Sequence, residues 1–590
     1  MIRSCRKALH ERFPFTMTSP WKLFIILAMF FLGSFHCMAA TAWAVNEPGV
    51  PGLSRDEALR LGERIYRKGI LPSEEPVTAV VRGDVPVEGT MFSCESCHMR
   101  SGFGSYEGGV VTTPTTGTYL YQPVYNLRQL TPAEKETVPQ YFKPQFEAPP
   151  KRPAYTDQTL AVALRTGIDP TGRKFNNVMP RYLLSDRDMA ILIFYLKSLS
   201  AEPSPGVTET TLRFATVVTD DVSQAERDAL LTTLENYVRG RNNMAVAADT
   251  RSKRGFTADW MDLAYRRKLA ISRWELKGLP ETWRGQLEEY YRKEPVFALL
   301  GGIANGEWRP IHEFSEEHHI PCILPITDFP VITETDWYTV YFSKGFYQEG
   351  EAAARFLGLT ADLALDKTVV QIFHDTREGR AFATGFEKTW LDLGRKPPVD
   401  RKLREGETIT REFLQQLAEK DKPSVVLLWV GSEAVPVLET FAAGTNRPEM
   451  VYVSSSLLKQ NLWKVPEKAR DFTYITYPFA FSLSKTIYAD AAKGSRQNGK
   501  LHVIDRRISS GALSLWFVLN DALMMLGNNF YRDRFLDVIG MVKDKPPPYT
   551  DYERLSFGPG QRYASKGCYI VQLVHGDTHE LVKKSDWVTH

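Results

Sequence analysis

The chain has 590 residues, which is too many for a single hydrophobic core, so we expect one small domain and a larger one with room for two lobes. Its 73 Lys and Arg residues nearly balance its 70 Asp and Glu residues, and the net charge is +3. Because the basic residues are scattered and form no stripe, the sequence predicts neither nucleic-acid binding nor attachment to an anionic membrane surface.

Residues 1–44 have the pattern of an export signal. Basic residues precede an apolar run from Leu23 to Leu32, and Ala42-Trp43-Ala44 places small residues at the spacing of a cleavage site. Cleavage there makes Val45 the first residue of the mature chain. The apolar run is short for a membrane span, so we expect no span after signal cleavage, with an uncleaved anchor as the open alternative.

Two amphipathic helices are predicted within residues 45–200. One begins with the capping box Ser54-Arg55-Asp56-Glu57, and the other begins at Ser185. Gly62 lies on the apolar face of the first helix, where the absence of a side chain allows another helix to approach closely. Tyr66 and an aromatic residue of the second helix are expected to pack around that contact.

The motif Cys94-Glu95-Ser96-Cys97-His98 follows the first of these helices. Two thiols on one turn can each form a thioether with a haem vinyl group, and the next residue, an imidazole, then lies beneath the iron. A chance match or a redox thiol pair is the alternative, and no second Cys/His pair has zinc-ligand spacing. The motif predicts one covalently bound haem c, held by Cys94 and Cys97 and ligated by His98.

Residues 45–200 resemble class I cytochrome c, in which terminal helices cross beside the haem. The resemblance implies an all-α domain with a distal methionine in a Met-Pro loop that follows a Gly-x-Asp-x-x-Gly-Arg stretch. The matching residues are Met179-Pro180 and the stretch from Gly167 to Arg173. Met99 is adjacent to His98 and Met189 falls inside a helix, so Met179 is the expected second axial ligand.

Two axial ligands leave no open position on the iron, so such a haem carries single electrons and does not transform a bound molecule. Covalent haem attachment in bacteria occurs outside the cytoplasmic membrane, which agrees with the export signal and implies a periplasmic location. The stretches Ser101–Gly104 and Thr112–Gly117 are expected to form loops that either wrap the haem edge or make a docking surface. With Cys5 and Cys37 removed, Cys322 and Cys568 remain, either as a disulfide or as two buried thiols.

A linker at residues 201–210 begins with Ala201-Glu202-Pro203-Ser204-Pro205-Gly206, which breaks the preceding helix. From residue 211 to residue 590, apolar strands alternate with amphipathic helices, and this alternation predicts parallel sheets with helices on both faces. The alternation begins with these predicted elements: strand Leu212 to Val218, a helix from Ser223 whose capping box is completed by Glu226, and strands near Met244 to Val246, Leu269 to Trp274, Val296 to Leu300 and Cys322 to Ile326.

The same alternation then restarts, which predicts a second lobe. Its predicted elements are helix Gln348 to Leu357, strand Val369 to Phe373, helix Ala381 to Leu393, strand Val425 to Trp429, helix Glu433 to Ala442, and strands Met450 to Val453 and Cys568 to Leu573. In order and spacing, this region resembles the type I periplasmic solute-binding proteins of the branched-chain amino-acid receptor group. The stretches that match are Val296–Gly302, Ile320–Pro325, Gln348–Ala354 and Gly379–Phe386.

The resemblance implies a small ligand bound between two lobes, because ligands of open α/β sheets lie beyond the carboxyl ends of the strands. The polar residues that follow predicted strand ends are Asn305, Thr327, Asp328, Asp375, Glu378, Ser432 and Glu433. For each one, a helix cap or a polar loop residue is the alternative. Amino-acid binders of the group usually have a serine after the Gly-rich strand end, where this chain has Ile303-Ala304-Asn305-Gly306-Glu307-Trp308. They also usually have a tyrosine where Glu378 lies, so an amino-acid ligand is not expected. Trp308, Trp337 and Tyr338 are candidates for an aromatic wall or for core residues.

Three functions fit this sequence. The main hypothesis is an exported mono-haem cytochrome that transfers single electrons, with a solute-binding-like domain for a small ligand or a redox partner protein. The alternatives are a transporter's solute receptor with redox-modulated affinity and the cytochrome subunit of a periplasmic dehydrogenase complex. No catalytic constellation is recognisable, so we expect no autonomous enzyme, and the sequence identifies neither the ligand nor the electron donor and acceptor.

Overall fold

The computed structural model describes residues 49–81, 84–107, 110–124, 151–253, 267–359, 367–481, 506–542, 551–558, 560–576 and 579–589. The predicted export signal, with Cys5 and Cys37, lies outside the described residues. The described helices are α1 Arg55–Lys68, α2 Cys94–His98, α3 Gly117–Leu120, α4 Asp157–Thr166, α5 Asp186–Ser198, α6 Gln224–Lys253, α7 Trp283–Lys293, α8 Arg309–Glu317, α9 Phe346–Leu359, α10 Arg377–Asp392, α11 Arg411–Gln416, α12 Ala434–Ala443, α13 Ser455–Leu458, α14 Arg506–Leu526 and α15 Arg532–Gly540.

The described strands are β1 Thr78–Val81, β2 Val85–Glu88, β3 Tyr106–Glu107, β4 Val110–Val111, β5 Arg181–Tyr182, β6 Thr211–Thr219, β7 Lys268–Leu276, β8 Ala298–Leu300, β9 Cys322–Ile323, β10 Thr339–Val340, β11 Val369–His374, β12 Val399–Leu403, β13 Val425–Trp429, β14 Met450–Ser454, β15 Thr473–Tyr477, β16 Gly567–Leu573, β17 Leu581–Lys583 and β18 Val588–Thr589.

The chain divides into two compact units. Unit 1 comprises the described residues within Met1–Ser93 and Asp157–Leu196, and unit 2 comprises those within Cys94–Thr156 and Lys197–His590. This division differs from the predicted boundary near residue 200, because the predicted haem-binding motif and the loops after it group with the C-terminal part. The physical reason is that residues just after the motif bond to α15, as in the hydrogen bond from Ser101 N to Asp537.

Unit 1 contains the two predicted helices and the close contact predicted between them. Helix α1 begins at the predicted cap, where the Ser54 hydroxyl accepts a hydrogen bond from the amide of Glu57 at 3.2 Å. A Cβ atom on Gly62 would lie 2.4 Å from the Cβ of Tyr195 in α5. The rings of Tyr66 and Tyr195 are 5.5 Å apart, so the helices meet at the predicted contact.

The all-α prediction for the N-terminal domain is wrong, because unit 1 also contains a small antiparallel sheet. Its strand order is β2-β1-β5, and β1 pairs with both neighbours in antiparallel register. The segments that form β1 and β2 are rich in valine, whose branched side chain favours extended backbone. The sheet ends at Tyr182, whose hydroxyl donates to the carbonyl of Phe92 at 2.9 Å.

The first lobe of unit 2 is built on a parallel five-stranded sheet with the order β10-β9-β8-β6-β7. Helix α6 starts with the predicted capping box: the amide of Ser223 donates to the Glu226 carboxylate, and the amide of Glu226 donates to the Ser223 hydroxyl. The predicted strand near Met244 to Val246 is wrong. Both side chains lie in α6 and are more than half exposed, at 56% and 53%, so a short apolar run on a helix surface was mistaken for a strand.

The second lobe repeats the same order. Strands β12-β11-β13-β14-β15 are parallel, and β16 and β17 then add to the sheet in antiparallel register. In both lobes the first strand of the lobe lies between the second and the third, which is the arrangement of a doubly wound α/β sheet. The chain crosses between the lobes after β10, after β15 and after α15. The predicted two-lobe α/β architecture is therefore confirmed by the strand order.

The core of the first lobe includes the apolar face of α14. Among the described helices, α14 alone contains a segment, Ile508–Leu526, that is long and apolar enough to cross a membrane. Leu515, Leu519 and Leu523 belong instead to the buried cluster that contains Phe214 of β6, so packing explains the apolar sequence. Such burial is the ordinary environment of a long apolar core helix.

A carboxyl group and two thiols are buried in the lobes. Glu349 of α9 is 1% exposed, and its carboxylate accepts hydrogen bonds from the hydroxyls of Ser454 and Thr476 at the ends of β14 and β15. Cys568 of β16 and Cys322 of β9 are both fully buried free thiols in the described structure. Of the two arrangements left open by the sequence, the structure has two separate thiols.

Candidate functional site

The predicted haem-binding motif forms a single helical turn, α2, in unit 2. Cys94 and His98 are buried, and Cys97 is partly exposed. Because the two cysteines are three positions apart on this turn, both thiols lie within one short segment that ends at the imidazole. The turn thus places the three predicted haem-binding residues in one short segment.

His98 has one ring nitrogen fixed and the other without a hydrogen-bond partner in the described part of the chain. Its Nδ1 lies 2.8 Å from the carbonyl oxygen of Thr113. A carbonyl only accepts, so Nδ1 donates and carries the proton. Nε2 is buried and no described group bonds to it. Burial lowers the pKa of His98, against the opposing effect of the Thr113 bond, so the neutral imidazole is favoured, as an iron ligand requires.

The loops after the motif hold the backbone of this turn. Thr112 Oγ1 donates to the carbonyl of Cys97 at 2.8 Å, and the amide of Gly104 donates to the carbonyl of His98 at 2.9 Å. The amide of Ser105 in turn donates to Thr112 Oγ1 at 2.6 Å. The predicted loops at Ser101–Gly104 and Thr112–Gly117 therefore support the carbonyl groups of two residues that the sequence assigns to haem.

Met179 lies in unit 1, between a closed loop and a strand. In the loop, Asp169 accepts hydrogen bonds from the amides and side chains of Thr171 and Arg173. Burial alone raises the pKa of Asp169, but these bonds outweigh it and the pKa is lowered. Met179 is partly buried, and its amide donates to the carbonyl of Asn176 at 2.9 Å. Because His98 belongs to unit 2, the axial pairing of His98 with Met179 stays a prediction.

The second candidate site is the cleft at the carboxyl ends of the parallel strands. Each lobe has a topological switch point there, between β6 and β8 in the first lobe and between β11 and β13 in the second. In the first lobe, the amide of the Asn305 side chain donates to the carbonyl of Asp221 at 3.1 Å. Asp221 also accepts a hydrogen bond from the hydroxyl of Thr219, the last residue of β6.

In the second lobe, His374 and Glu433 bridge the switch point. His374 ends β11, and its Nε2 bonds to a carboxylate oxygen of Glu433, which follows β13. Its Nδ1 lies 3.1 Å from the carbonyl of Arg404. Burial lowers the pKa of His374, but the hydrogen bonds to Arg404 and Glu433 together raise it by a larger amount, so the net shift is upward. The protonated, cationic form is therefore favoured beside the carboxylate.

Arg377 of the second lobe reaches the first lobe across this cleft. Its guanidinium is 3.8 Å from the Glu307 carboxylate and lies over the ring of Phe329, 5.1 Å from the ring centroid. A Cβ on Gly306 would lie 3.1 Å from an Asp221 carboxylate oxygen and 3.5 Å from the Arg377 guanidinium. One cation and two carboxylates thus converge over a glycine where the lobes face each other.

The predicted cleft residues have different roles in the structure. Asn305 and Glu433 contact other switch-point residues. Thr327 accepts a hydrogen bond from the amide of Phe329, and Asp375 pairs with Arg380 at 3.3 Å, so both also have structural partners. The remaining predicted residues follow strands of the same edge or lie in the first turn of α10: Asp328, Glu378 and Ser432.

Sequence reasoning missed Asp221, Glu307 and Arg377. Asp221 follows β6 by two residues, so the rule applied to the other strand ends would have found it. Arg377 and Glu307 gave no such signal, because a charged residue near a helix start is common. Their importance depends on the relative placement of two lobes, which no local pattern specifies.

Of the two alternatives for Trp308, Trp337 and Tyr338, the structure has core residues and not an aromatic wall, since Trp308 and Tyr338 are buried and Trp337 packs against the first-lobe core. Trp308 is fully buried in the first-lobe core beside Phe314. Trp337 packs against two guanidinium groups: those of Arg100 and Arg562 lie 4.5 Å and 4.2 Å from its ring centroid. Tyr338 donates its hydroxyl hydrogen to Asp533 of α15. Within the described residues, no group of three His, Cys, Asp or Glu side chains is placed to hold a metal ion.

Comparisons with known proteins give structural neighbours only. No family model matches the chain, and no curated protein matches it. A protein from Rhodospirillum rubrum assigned to branched-chain amino acid ABC transport is 14% identical with a TM-score of 0.44, over 65% of this chain and 100% of that one. A fatty acid ABC transporter substrate-binding protein from Thermomonospora curvata is 14% identical with a TM-score of 0.42, over 66% and 95%.

A solute-binding protein of an ABC transporter from R. palustris, solved with benzoate, is 14% identical with a TM-score of 0.42, over 64% of this chain and 96% of that one. The two-lobe fold is established by the chain's own strand order.

Proposed function

We propose that this chain is an exported solute receptor whose two-lobe unit binds a small ligand in the cleft between the lobes. The observation that carries the proposal is the meeting of two switch points, each flanked by polar side chains, across the contact between Arg377 and Glu307. Ligands of doubly wound sheets bind at such switch points. The predicted export signal agrees with a periplasmic receptor, and ligand transfer to an ABC transporter is the corresponding cellular role.

The chemistry of the cleft is charged. Arg377 is half exposed, with 46% of its side chain accessible, so its guanidinium is available to a ligand as well as to Glu307. A ligand that accepts a hydrogen bond from Arg377 and donates to Asp221 would bridge the lobes and stabilise their closed arrangement. We therefore expect a small polar ligand that contacts both lobes.

The experiment is a ligand screen on protein purified from its own periplasm. Native mass spectrometry weighs any retained small molecule, and thermal shift then tests that molecule together with branched-chain amino acids, benzoate and a fatty acid. Arg377→Ala should weaken binding by about tenfold or more, the cost of one charge-assisted hydrogen bond. The control is Arg401→Ala, which removes an equally charged side chain paired with Asp421 in the same lobe. Equal binding by the two variants would contradict the assignment of the cleft.

A second function, electron transfer, is favoured by a separate observation: the fixed tautomer of His98 and its unpartnered, buried Nε2. We propose that Cys94 and Cys97 hold one haem c covalently, that His98 Nε2 is one axial ligand and that Met179 is the other. The haem would supply transfer of single electrons between a donor and an acceptor protein. The chain's own contribution is to fix the imidazole orientation through Thr113 and to keep the site buried.

Two measurements test the electron-transfer proposal. The mass of the mature protein should exceed that of the polypeptide by one haem, and Cys94→Ala together with Cys97→Ala should remove the excess. Met179→Ala should change the haem midpoint potential and let an added ligand bind the iron. An unchanged potential and spectrum would exclude Met179 as the axial ligand.

The two functions are linked if the ligand and the haem influence each other. If a ligand shifts the midpoint potential of the haem, reduction of the haem must change the affinity for that ligand by the same free energy. Potentiometric titration with and without ligand distinguishes a redox-modulated receptor, which shows a shift, from an electron carrier with an independent binding domain, which shows none. Co-purification with a dehydrogenase would identify the third hypothesis, a subunit of an enzyme complex.

A further inference from the structure

The segment directly after the haem-binding motif is bound by a helix of the first receptor lobe. The amide of Ser101 donates to the carboxylate of Asp537 in α15 at 2.9 Å. Three residues further along the segment, the carbonyl of Gly104 accepts a hydrogen bond from the guanidinium of Arg534, also in α15, at 3.3 Å. One helix therefore holds both ends of the segment Ser101–Gly104.

Ring and ion-pair contacts reinforce these bonds. The ring of Phe103 stacks on Tyr531 with centroids 5.4 Å apart, and the Arg534 guanidinium lies over Phe103 at 5.2 Å. Arg100 is 3.6 Å from Asp533. The contact thus includes three side chains of α15 and that of the residue before the helix, Tyr531. They meet three of the four residues of the segment, and Arg100 directly before it.

The segment is connected in turn to the predicted iron ligand. The amide of Gly104 donates to the carbonyl of His98, and the amide of Gly102 donates to the carbonyl of Met99. Residues 98–104 thus form a closed turn whose far end is fixed by Arg534. Any displacement of this end would move the carbonyl of His98 with it.

Helix α15 is itself anchored in the first-lobe sheet. Arg532 donates to the carbonyls of Val296 and Phe297, directly before β8. Phe535 and Val538 are fully buried in the lobe's core. The other end of β8 leads to Asn305 at the cleft, so the helix connects a strand of the ligand site to the haem-binding turn.

Burial of the Asp537 carboxyl costs free energy, and packing alone does not explain why this residue is buried. It is 3% exposed, and burial, with a smaller contribution from nearby Asp533, raises its pKa to about 6 against the bond from Ser101 and the charge of Arg534. A buried carboxyl and a buried guanidinium that bond to backbone groups at the two ends of one segment provide directional contacts that apolar residues cannot.

We propose that α15 is a positioning element for the haem site, in which Asp537 and Arg534 hold the segment Ser101–Gly104 and thereby set the conformation of the turn that carries His98. The inference rests on the haem proposed above. It predicts that the haem environment depends on the receptor lobe and not only on the helices of unit 1.

The test uses hydrogen exchange on the full chain, measured with haem and in the Cys94→Ala, Cys97→Ala protein. Asp537→Ala removes the acceptor of the Ser101 amide, so exchange in residues 99–104 should accelerate by about tenfold or more, as expected for loss of a hydrogen bond to a charged group. Asp537→Asn keeps an acceptor and should give an intermediate rate. The matched control is Glu349→Gln, which alters an equally buried carboxyl in the other lobe and should leave this segment unchanged.

The second readout is the haem midpoint potential, which should shift in Asp537→Ala and return toward the wild-type value in Asp537→Asn. Should Asp537→Ala fail to fold, Arg534→Gln tests the Gly104 end of the segment by the same two measurements. Folded variants with wild-type exchange in residues 99–104 would overturn the inference. A chain that carries no haem but shows the accelerated exchange would contradict the electron-transfer proposal and leave the contact between segment and helix established.

Discussion

Glu349 should make the second lobe less stable as pH rises. The carboxyl is buried beneath the ends of β14 and β15, and burial chiefly, with a contribution from Asp328, raises its pKa from 4.5 to about 7, although hydroxyls including that of Ser454 partly oppose the shift. In the unfolded chain the group titrates near its ordinary value. Between these two pKa values the unfolded state is ionised while the folded state still holds a proton.

The sign follows from proton linkage. A group that binds its proton more tightly in the folded state destabilises that state as the solution becomes less acidic. At about 1.4 kcal/mol for each pH unit, the difference between 4.5 and about 7 amounts to about 3 kcal/mol. This cost is absent below about pH 4.5, grows as pH rises and is complete above about pH 7.

The perturbation is Glu349→Gln, which keeps the shape and a hydrogen-bond acceptor but cannot ionise. Urea unfolding followed at pH 5 and pH 8 should show the variant gaining up to about 3 kcal/mol relative to wild type between the two pH values. The exposed Glu419→Gln in the same lobe serves as a control and should show no such gain. A stability difference between wild type and Glu349→Gln that is independent of pH would refute the reasoning.

Two further predictions concern packing. Gly62→Ala should destabilise unit 1 by about 1–3 kcal/mol and lower its melting temperature, because the added Cβ would lie 2.4 Å from the Cβ of Tyr195. The control is Gly240→Ala, which should be neutral or stabilising because nothing lies within 4 Å of the added Cβ. Equal effects of the two substitutions would contradict the close contact. Cys322 and Cys568 are buried, and burial raises the pKa of both thiols well above the ordinary value. A thiol reagent should therefore label them only after denaturation. If neither thiol is labelled in denatured, unreduced protein, the two form a disulfide.

Much of the two-lobe architecture could be predicted because its signals are local. Strand β13 occupies the predicted residues Val425–Trp429, a continuous apolar run of the kind that parallel sheets bury on both faces. The capping box at Ser223 likewise has a local cause and formed as predicted. By contrast, Met244 lies within a helix, since apolar residues on an exposed helical surface have no period that separates them from a short strand.

The contacts that matter most for the site could not be predicted, because they join distant parts of the chain. Arg377 was not a candidate until the two lobes were placed face to face. His98 was found from its motif, but nothing near it in sequence pointed to Asp537. A buried carboxylate that serves a segment hundreds of residues away leaves no local pattern.

The hydrogen bond between Ser101 and Asp537 spans 436 residues of sequence, and this separation constrains the order of assembly. Contacts between such distant parts of a chain form late in folding. We therefore expect the turn with the two thiols to form before its supporting helix is in place, so that an enzyme attaching the proposed haem would meet it as an accessible peptide. Under the haem proposal, maturation would then have a fixed order, in which the cofactor is joined first and α15 packs against the segment Ser101–Gly104 afterwards.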